Sequence, residues 1–262
     1  ITEPIAKPMR VWHLLTHTAG LTYGFNYFDA TDAIYRTQEE KFAKENPNPT
    51  LEEVCDRYAA MPLVFEPGTS WNYSVATDVV GRLVEVVSGM RLGDFFQKRI
   101  LGPLGMNETS FYVDPAKQSR VAALYAYDPS PARKVRYTAL ENQVLTPRSF
   151  DSGGGGLVST AADYWKFLQM LENGGELNGV RIVSPTTIDL MTLNHIPGNK
   201  DISDWGRPMG EEVFYDGLGF GLGFAVVIDQ AKTKVACSNG TYSWGGMAST
   251  AFWIDPVEEI TA

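Results

Sequence analysis

The sequence predicts an α+β fold in which helices come first and antiparallel strands come last. Helical periodicity dominates the early part of the 262 residues, and strand candidates cluster near the end, at residues 222–229, 234–238 and 248–254. A short turn over residues 230–233 separates the first two, so we expect them to form an antiparallel hairpin. Helices followed by antiparallel strands, without regular alternation, favour α+β over α/β architecture.

Capping and stop signals set the helix boundaries in the first part. Thr50 can accept a hydrogen bond from the third helical amide, and Glu53 is placed to reach back to the cap. This capping box predicts a helix over residues 51–61. An apolar stripe, with Gly89 as its stop, predicts a second helix over residues 76–88.

Turn residues delimit the later elements. A third helix is expected to run through Ile100 and end at Gly102, and residues 107–150 predict loops with short strands. Thr160 and Ser184 each stand where an N-cap is expected, so a helix is predicted after each. Residues 195–217, which follow the helix capped by Ser184, are predicted to form a polar loop. The helix after Thr160 carries the expected apolar stripe Trp165, Leu168 and Leu171.

The charge balance argues against several classes of function. Asp plus Glu number 31 against 22 Lys plus Arg, a formal net charge of −9, which repels nucleic-acid phosphates. The sequence contains no run of about 18 apolar residues, the length that a membrane-spanning helix needs. Cys55 and Cys237 are too few for a disulfide framework or a Cys-rich metal site. No signal peptide is visible, so the compartment stays open with the cytoplasm slightly favoured, and the sequence indicates no oligomeric state.

Two histidines have the spacing of a zinc pair. His13 and His17 stand at i and i+4, but a metalloprotease motif needs Glu after the first His, and Leu14 stands there. The one other histidine is His195. A helix terminus held by hydrogen-bonded histidines is therefore favoured over zinc, and we predict no metal and no cofactor.

Three further patterns are explained better by structure than by chemistry. Ser238 follows a strand as in a nucleophile elbow, but no His comes after it. Alternating glycines in residues 217–223 do not form GxGxxG and predict a strand packed against a close neighbour. Residues 153–156 are four glycines without the Lys of a phosphate loop, which predicts a close backbone approach or a mobile loop beside a site.

Two segments are better candidates for a site. A tight turn through Pro67 and Gly68 delivers Tyr73 just ahead of a helix, a rigid place from which a phenol can project. Residues 242–247, Tyr-Ser-Trp-Gly-Gly-Met, open the last strand, where two glycines would let a substrate lie against backbone amides. Each segment alone also fits an ordinary turn or core position.

In combination, the motifs resemble the serine β-lactamase-like superfamily, in the branch of family VIII carboxylesterases and class C β-lactamase-related hydrolases. The resembling segments are Leu-Leu-Thr-His-Thr-Ala-Gly-Leu at 14–21, Pro-Gly through Tyr-Ser at 67–74, Gly-Gly-Gly-Gly-Leu-Val-Ser-Thr-Ala-Ala-Asp at 153–163, and Trp-Gly-Gly at 244–246. The resemblance implies a β-lactamase/transpeptidase-like fold with an antiparallel sheet flanked by helices. We expect a mostly helical region over 1–155 carrying the Tyr motif, and the remaining helices and strands over 156–262 carrying Trp-Gly-Gly.

The resemblance also implies roles for residues of these motifs. Tyr73 matches the Tyr of Tyr-x-Asn, which serves as base and acid. Trp244, Gly245 and Gly246 stand in place of Lys-Thr-Gly, and the N–H of Met247 is the expected partner donor of an oxyanion hole. Such a donor lowers the barrier by roughly 3–4 kcal/mol.

Departures from the pattern bear on the substrate. Trp244 offers no charge to a substrate carboxylate, and Val75 replaces the Asn of the second motif. A small neutral carboxylic ester, hydrolysed or used for acyl transfer, is therefore favoured. A β-lactamase, a D-amino-acid peptidase or penicillin-binding-protein-like activity, and a non-catalytic ligand-binding homologue stay as alternatives. Trp71 and Phe25 are expected to line an apolar acyl pocket.

The family's Ser-x-x-Lys motif does not occur in these 262 residues, because no lysine has a serine three positions before it. The resemblance places that motif upstream of segment 14–21, and it places further strands and a helix after residue 262. We therefore expect a central fragment of a longer enzyme whose nucleophilic Ser and Lys lie outside this sequence.

Overall fold

The computed structural model describes residues 2–130, 132–207 and 215–262. Within them the α-helices are α1 Val11–Leu15, α2 Ala30–Glu45, α3 Leu51–Ala59, α4 Ala76–Ser88, α5 Leu92–Phe96, α6 Thr138–Gln143, α7 Ala161–Glu172, α8 Pro185–Met191, α9 Ile202–Trp205 and α10 Gln230–Thr233. A π-helical turn at Gln97–Leu101 continues α5, and 3-10 turns lie at Pro115–Arg120 and Pro197–Asn199. The strands are β1 Tyr125–Pro129, β2 Ala132–Arg136, β3 Glu176–Leu177, β4 Val180–Arg181, β5 Leu218–Phe220, β6 Ala225–Val227, β7 Tyr242–Gly245, β8 Ala251–Asp255 and β9 Ile260–Thr261.

The main sheet has five strands in the order β5-β6-β7-β8-β9, and every neighbouring pair is antiparallel. Two small hairpins, β1–β2 and β3–β4, lie apart from it. In the main sheet Trp244 of β7 stands opposite Phe252 of β8. The prediction of an α+β architecture with antiparallel strands late in the chain is confirmed.

The capping and stop residues read from the sequence predicted the positions of helices α3 and α4 to within two residues. Thr50 accepts a hydrogen bond from the Glu53 amide at 3.2 Å, and the Glu53 carboxylate accepts one from the Thr50 amide at 2.7 Å. The helix they open, α3, ends at Ala59, two residues before the predicted end. Helix α4 has the predicted bounds, and Gly89 ends it in the left-handed conformation with φ of 67°.

The predicted hairpin between residues 222–229 and 234–238 is wrong. Asp229 instead caps the one-turn helix α10 by accepting hydrogen bonds from the amides of Ala231 and Lys232. Residues 234–238 then form no strand, and β6 pairs with β5 and β7. The alternation in a short segment does not specify a partner strand, and here the local cap prevailed.

The predicted stripe of α7 needs a correction at Trp165, whose side chain is 51% exposed. The buried side chains of this helix include Met170 beside Leu168 and Leu171. At 100° per residue, their common face is rotated away from Trp165. Helix α6 was also not predicted, since residues 107–150 were expected to contain loops and strands alone.

Two hydrophobic clusters support the region where the site lies. In one, Leu168 and Leu171 of α7 pack with Val226, Phe252 and Ile254 of the sheet. In the other, Trp71 from the first part of the chain packs with the sheet residue Phe220. It also packs with three residues between α8 and β5, namely Ile196, Ile202 of α9 and Tyr215. The division of the chain after residue 155 stays a prediction.

The alternating glycines lie where neighbours come close. A Cβ at Gly219 would clash with the Asn194 side chain, and one at Gly221 would clash with the carbonyl of Met191. The prediction of a tightly packed strand is confirmed at β5. Of the polar loop expected over 195–217, residues 208–214 lie outside the described residues. No helix in the described ranges has the length and hydropathy needed to cross a bilayer.

Candidate active site

The structure brings Tyr73 and Trp244 together. Their ring centroids are 5.3 Å apart at an interplanar angle of 50°. Tyr73 lies just before α4 and Trp244 lies within β7, so the contact joins the helical part of the chain to the sheet. The two segments singled out in the sequence therefore form one site.

Backbone hydrogen bonds hold the Tyr73 segment along the loop that follows α1. The Gly68 amide donates to the Thr18 carbonyl at 2.8 Å, and the Asn72 amide donates to the His17 carbonyl at 2.9 Å. The Asn72 side chain also donates to the Leu21 carbonyl at 2.8 Å. The segment that leads into Tyr73 is thus held in place by the hydrogen bonds of Gly68 and Asn72.

The buried imidazole of His17 packs against Tyr73. Its ring is 5.0 Å from the Tyr73 ring, and its Nδ1 lies 3.3 Å from Ser74 Oγ. Complete burial lowers the pKa of His17 to about 3, so the imidazole is neutral at ordinary pH. His13 accepts a hydrogen bond from the Arg10 amide at 3.2 Å, which agrees with the interpretation of these histidines as helix-terminus residues.

Tyr23 is a site residue that the sequence analysis missed. Its ring lies 5.1 Å from that of Tyr73 at an interplanar angle of 52°. Burial, aided by the nearby Tyr73 and Asp78, raises the pKa of Tyr23 far above its usual value, so this phenol keeps its proton. The available signal was its position two residues after the recognised segment 14–21.

The Trp-Gly-Gly segment ends β7 in a tight turn. The Gly246 amide donates to the Thr250 carbonyl at 2.8 Å, and the Ser249 amide donates to the Gly246 carbonyl at 3.0 Å. Gly245 stands opposite Ala251 in the ladder. Met247 lies in the turn with its side chain 77% exposed, and its role as an oxyanion donor stays a prediction.

The two residues expected to line an acyl pocket occupy different environments. Phe25 is 56% exposed and stacks on Tyr23 with ring centroids 4.5 Å apart. Trp71 is completely buried, and its ring lies 5.5 Å from that of Phe220. Phe25 therefore extends the wall made by Tyr23 and Tyr73, whereas Trp71 packs behind it. The acyl pocket itself stays a prediction.

The glycine loop after residue 152 is docked on the first turn of α4. Asp78 accepts hydrogen bonds from Ser152 Oγ at 2.6 Å and from the Gly154 amide at 3.2 Å. A Cβ at Gly153 would clash with the Thr77 carbonyl, which confirms the predicted close backbone approach. A Cβ at Gly154 would lie 3.0 Å from the Tyr23 hydroxyl, so this loop reaches the wall of the site.

Comparisons with known proteins agree with this geometry. The family model described as Beta-lactamase matches residues 1–262. Protein Rv1367c of Mycobacterium tuberculosis (strain ATCC 25618 / H37Rv) is 35% identical over 99% of this chain and 62% of its own length. The lovastatin esterase of Penicillium rubens is 31% identical over 97% of this chain and 63% of its own length.

A solved structure shows the same fold. It is EstCE1, described as a hydrolase with promiscuous acyltransferase activity, and it superposes with a TM-score of 0.76 at 26% identity. The match covers 99% of this chain and 68% of EstCE1. The architecture is therefore the β-lactamase/transpeptidase-like fold that the motifs implied. The chain spans less than two thirds of the length of the two curated relatives.

Proposed function

This chain belongs to the β-lactamase family, and from that membership we propose that it acts as a serine hydrolase on small neutral carboxylic esters. The reaction proceeds through an acyl-enzyme, which passes its acyl group to water or to an acceptor alcohol. The esterase and hydrolase relatives support this class of chemistry.

The observation that carries the proposal is the contact between Tyr73 and Trp244 at 5.3 Å. Tyr73 supplies a phenol at the base-and-acid position of the family. Trp244 occupies the position of the third motif within β7, and its ring packs against that of Tyr73. A proton-transfer group and a substrate-binding strand are thus adjacent, as acyl transfer requires.

In the proposed reaction a serine oxygen attacks the ester carbonyl carbon and loses its proton to Tyr73. Tyr73 returns a proton to the departing alkoxide, which leaves as the alcohol. A water molecule or a second alcohol then attacks the acyl-enzyme and loses its proton to Tyr73. Tyr73 returns that proton to the serine oxygen as its bond to the acyl carbon breaks, and the carboxylic acid or the new ester leaves. The proposal requires a nucleophilic Ser and its Lys, which these 262 residues do not contain.

The chemistry of the wall favours a neutral substrate. The side chains next to Tyr73 are the indole of Trp244 and the phenol of Tyr23, with Phe25 stacked beyond. None of these side chains carries a charge at neutral pH. A neutral acyl group gains from contact with such rings, whereas a substrate carboxylate finds no cation among them.

A fluorophosphonate and an ester panel test the proposal. We expect the intact mass of the purified protein to increase by one phosphonyl group, and the labelled residue to be a serine. Neutral p-nitrophenyl esters should be hydrolysed with kcat/KM at least tenfold above that for a cephalosporin. An unlabelled protein without turnover would favour a ligand-binding homologue, and preferred turnover of the cephalosporin would favour a β-lactamase.

A further inference from the structure

Polar residues on one face of helix α2 contact the loop of residues 22–26, which contains Tyr23 and Phe25. Asp32, Arg36 and Glu39 stand at i, i+4 and i+7, which places them on one face of the helix. All three contact residues between Thr22 and Asn26. The helix therefore grips this loop over two of its turns.

Arg36 and Glu39 both contact Gly24. Arg36 Nη1 donates to the Gly24 carbonyl at 2.7 Å and to the Asn26 carbonyl at 3.3 Å. The Glu39 carboxylate packs against the same residue, so closely that a Cβ at Gly24 would clash with its Oε2. The loop itself is closed by the Asn26 amide, which donates to the Tyr23 carbonyl at 3.1 Å.

Gly24 allows this contact because it has no side chain. A Cβ there would lie 2.8 Å from the backbone N and Cα of Arg36 and would clash with the Glu39 carboxylate. Helix backbone cannot move aside as the end of a flexible side chain can. The loop therefore packs directly on the helix at this residue, and Tyr23 and Phe25 flank the contact point on either side.

We propose that Arg36 and Glu39 are positioning residues, which fix the Tyr23–Asn26 loop so that the Tyr23 phenol meets Tyr73. This inference rests on the proposed function, because Tyr73 is the proton-transfer group of that reaction. Neither residue is proposed to touch the substrate. They act through Gly24 on Tyr23, and through Tyr23 on the orientation of the Tyr73 hydroxyl.

Hydrogen exchange tests the clamp without any need for activity. In Glu39→Ala we expect the amides in residues 22–28 to exchange at least tenfold faster than in the unsubstituted protein. Glu39→Gln, whose side chain keeps the size and polarity of the group packed against Gly24, should exchange within twofold of it. Glu40→Ala, an exposed neighbour on the same helix, is the matched control and should leave the loop unchanged. If Glu39→Ala does not fold, Arg36→Lys tests the same contact, since an ammonium cannot reproduce the reach to both carbonyls.

Kinetics then test whether the contact positions the site. We expect Glu39→Ala to lower kcat for a neutral ester about tenfold with KM within threefold, and Glu39→Gln to restore it. Unchanged exchange in Glu39→Ala would overturn the clamp. Faster exchange with unchanged kcat would overturn the positioning role. If the unsubstituted protein itself has no turnover, the proposed function fails, and exchange alone still decides whether the clamp exists.

Discussion

The phenol ring of Tyr23 lies beside that of Tyr73, with the ring centroids 5.1 Å apart and an interplanar angle of 52°. Tyr23 keeps its proton because burial raises its pKa. Ring contacts with Tyr23 and His17 therefore hold Tyr73 in place, as its proposed role in proton transfer requires.

Replacing Tyr73 with Phe should remove the proton-transfer group and leave the packing in place. We expect kcat for a neutral ester to fall by roughly 10² or more, the scale of lost general acid–base catalysis. Steady-state kinetics measure the loss. Tyr27→Phe is the control, because that side chain is 76% exposed and lies on the outer part of the loop. Unchanged turnover in Tyr73→Phe would remove this residue from the mechanism.

Replacing Trp244 with Lys should change the preferred charge of the substrate. An ammonium beside Tyr73 can pair with a substrate carboxylate, which the indole cannot do. We expect kcat/KM for anionic esters, relative to neutral esters of the same size, to rise about tenfold, or roughly 1.4 kcal/mol. Trp244→Phe should leave that ratio unchanged. Equal ratios in all three proteins would show that this position does not select for charge.

Gly221 should be far less tolerant of substitution than Gly155. A Cβ at Gly221 would clash with the backbone carbonyl of Met191, whereas nothing lies within 4 Å of a Cβ at Gly155. We expect Gly221→Ala to lower the free energy of unfolding by about 1–3 kcal/mol, the usual cost of overpacking. Gly155→Ala should lie within about 0.5 kcal/mol of the unsubstituted protein. Urea denaturation compares them, and equal midpoints would contradict the close packing of Gly221 against Met191, just after β5.

Much of the fold followed from signals confined to a few residues. The Thr50–Glu53 capping box and the apolar stripe ended by Gly89 gave two helices because their partners lie within the same element. The prediction of a hairpin with residues 234–238 was wrong. Asp229 caps a short helix instead, and β6 pairs with β5 and β7. Tertiary pairing is the information that a short segment does not contain.

The candidate site likewise contains residues that the sequence motifs identified and residues that only the tertiary contacts reveal. Tyr73 and Trp244 were found through the resemblance of their motifs to a known family. Tyr23 and His17 were not assigned to the site, because their importance comes from ring contacts with Tyr73 that no local pattern encodes. The complete burial of Trp71 was equally hidden, since its neighbour Phe220 is remote in the sequence.

Glu39 gives the protein a pH-dependent stability with a definite sign. Burial, with the negative charge of Asp78 as the second cause, raises the pKa of Glu39 from 4.5 to about 7, although the Gly24 amide and Arg36 oppose the shift. A carboxyl with a raised pKa in the folded protein stabilises the fold most below its unfolded pKa. That stabilisation is lost as the pH rises through about 7, where the buried group must ionise.

Glu39→Gln should remove this dependence, because the amide cannot ionise and has nearly the same size as the carboxyl group. We expect the variant to gain stability relative to the unsubstituted protein between pH 4.5 and 7, by about 1–2 kcal/mol in total, since partial exposure and solvent screening reduce the full effect. Urea denaturation at pH 4.5, 6 and 8 measures the difference. Glu40→Gln makes the same charge change at an exposed site and should follow the unsubstituted protein at each pH. A constant difference between Glu39→Gln and the unsubstituted protein would show that Glu39 is ionised throughout this range, and that the helix grips the loop with a permanent carboxylate.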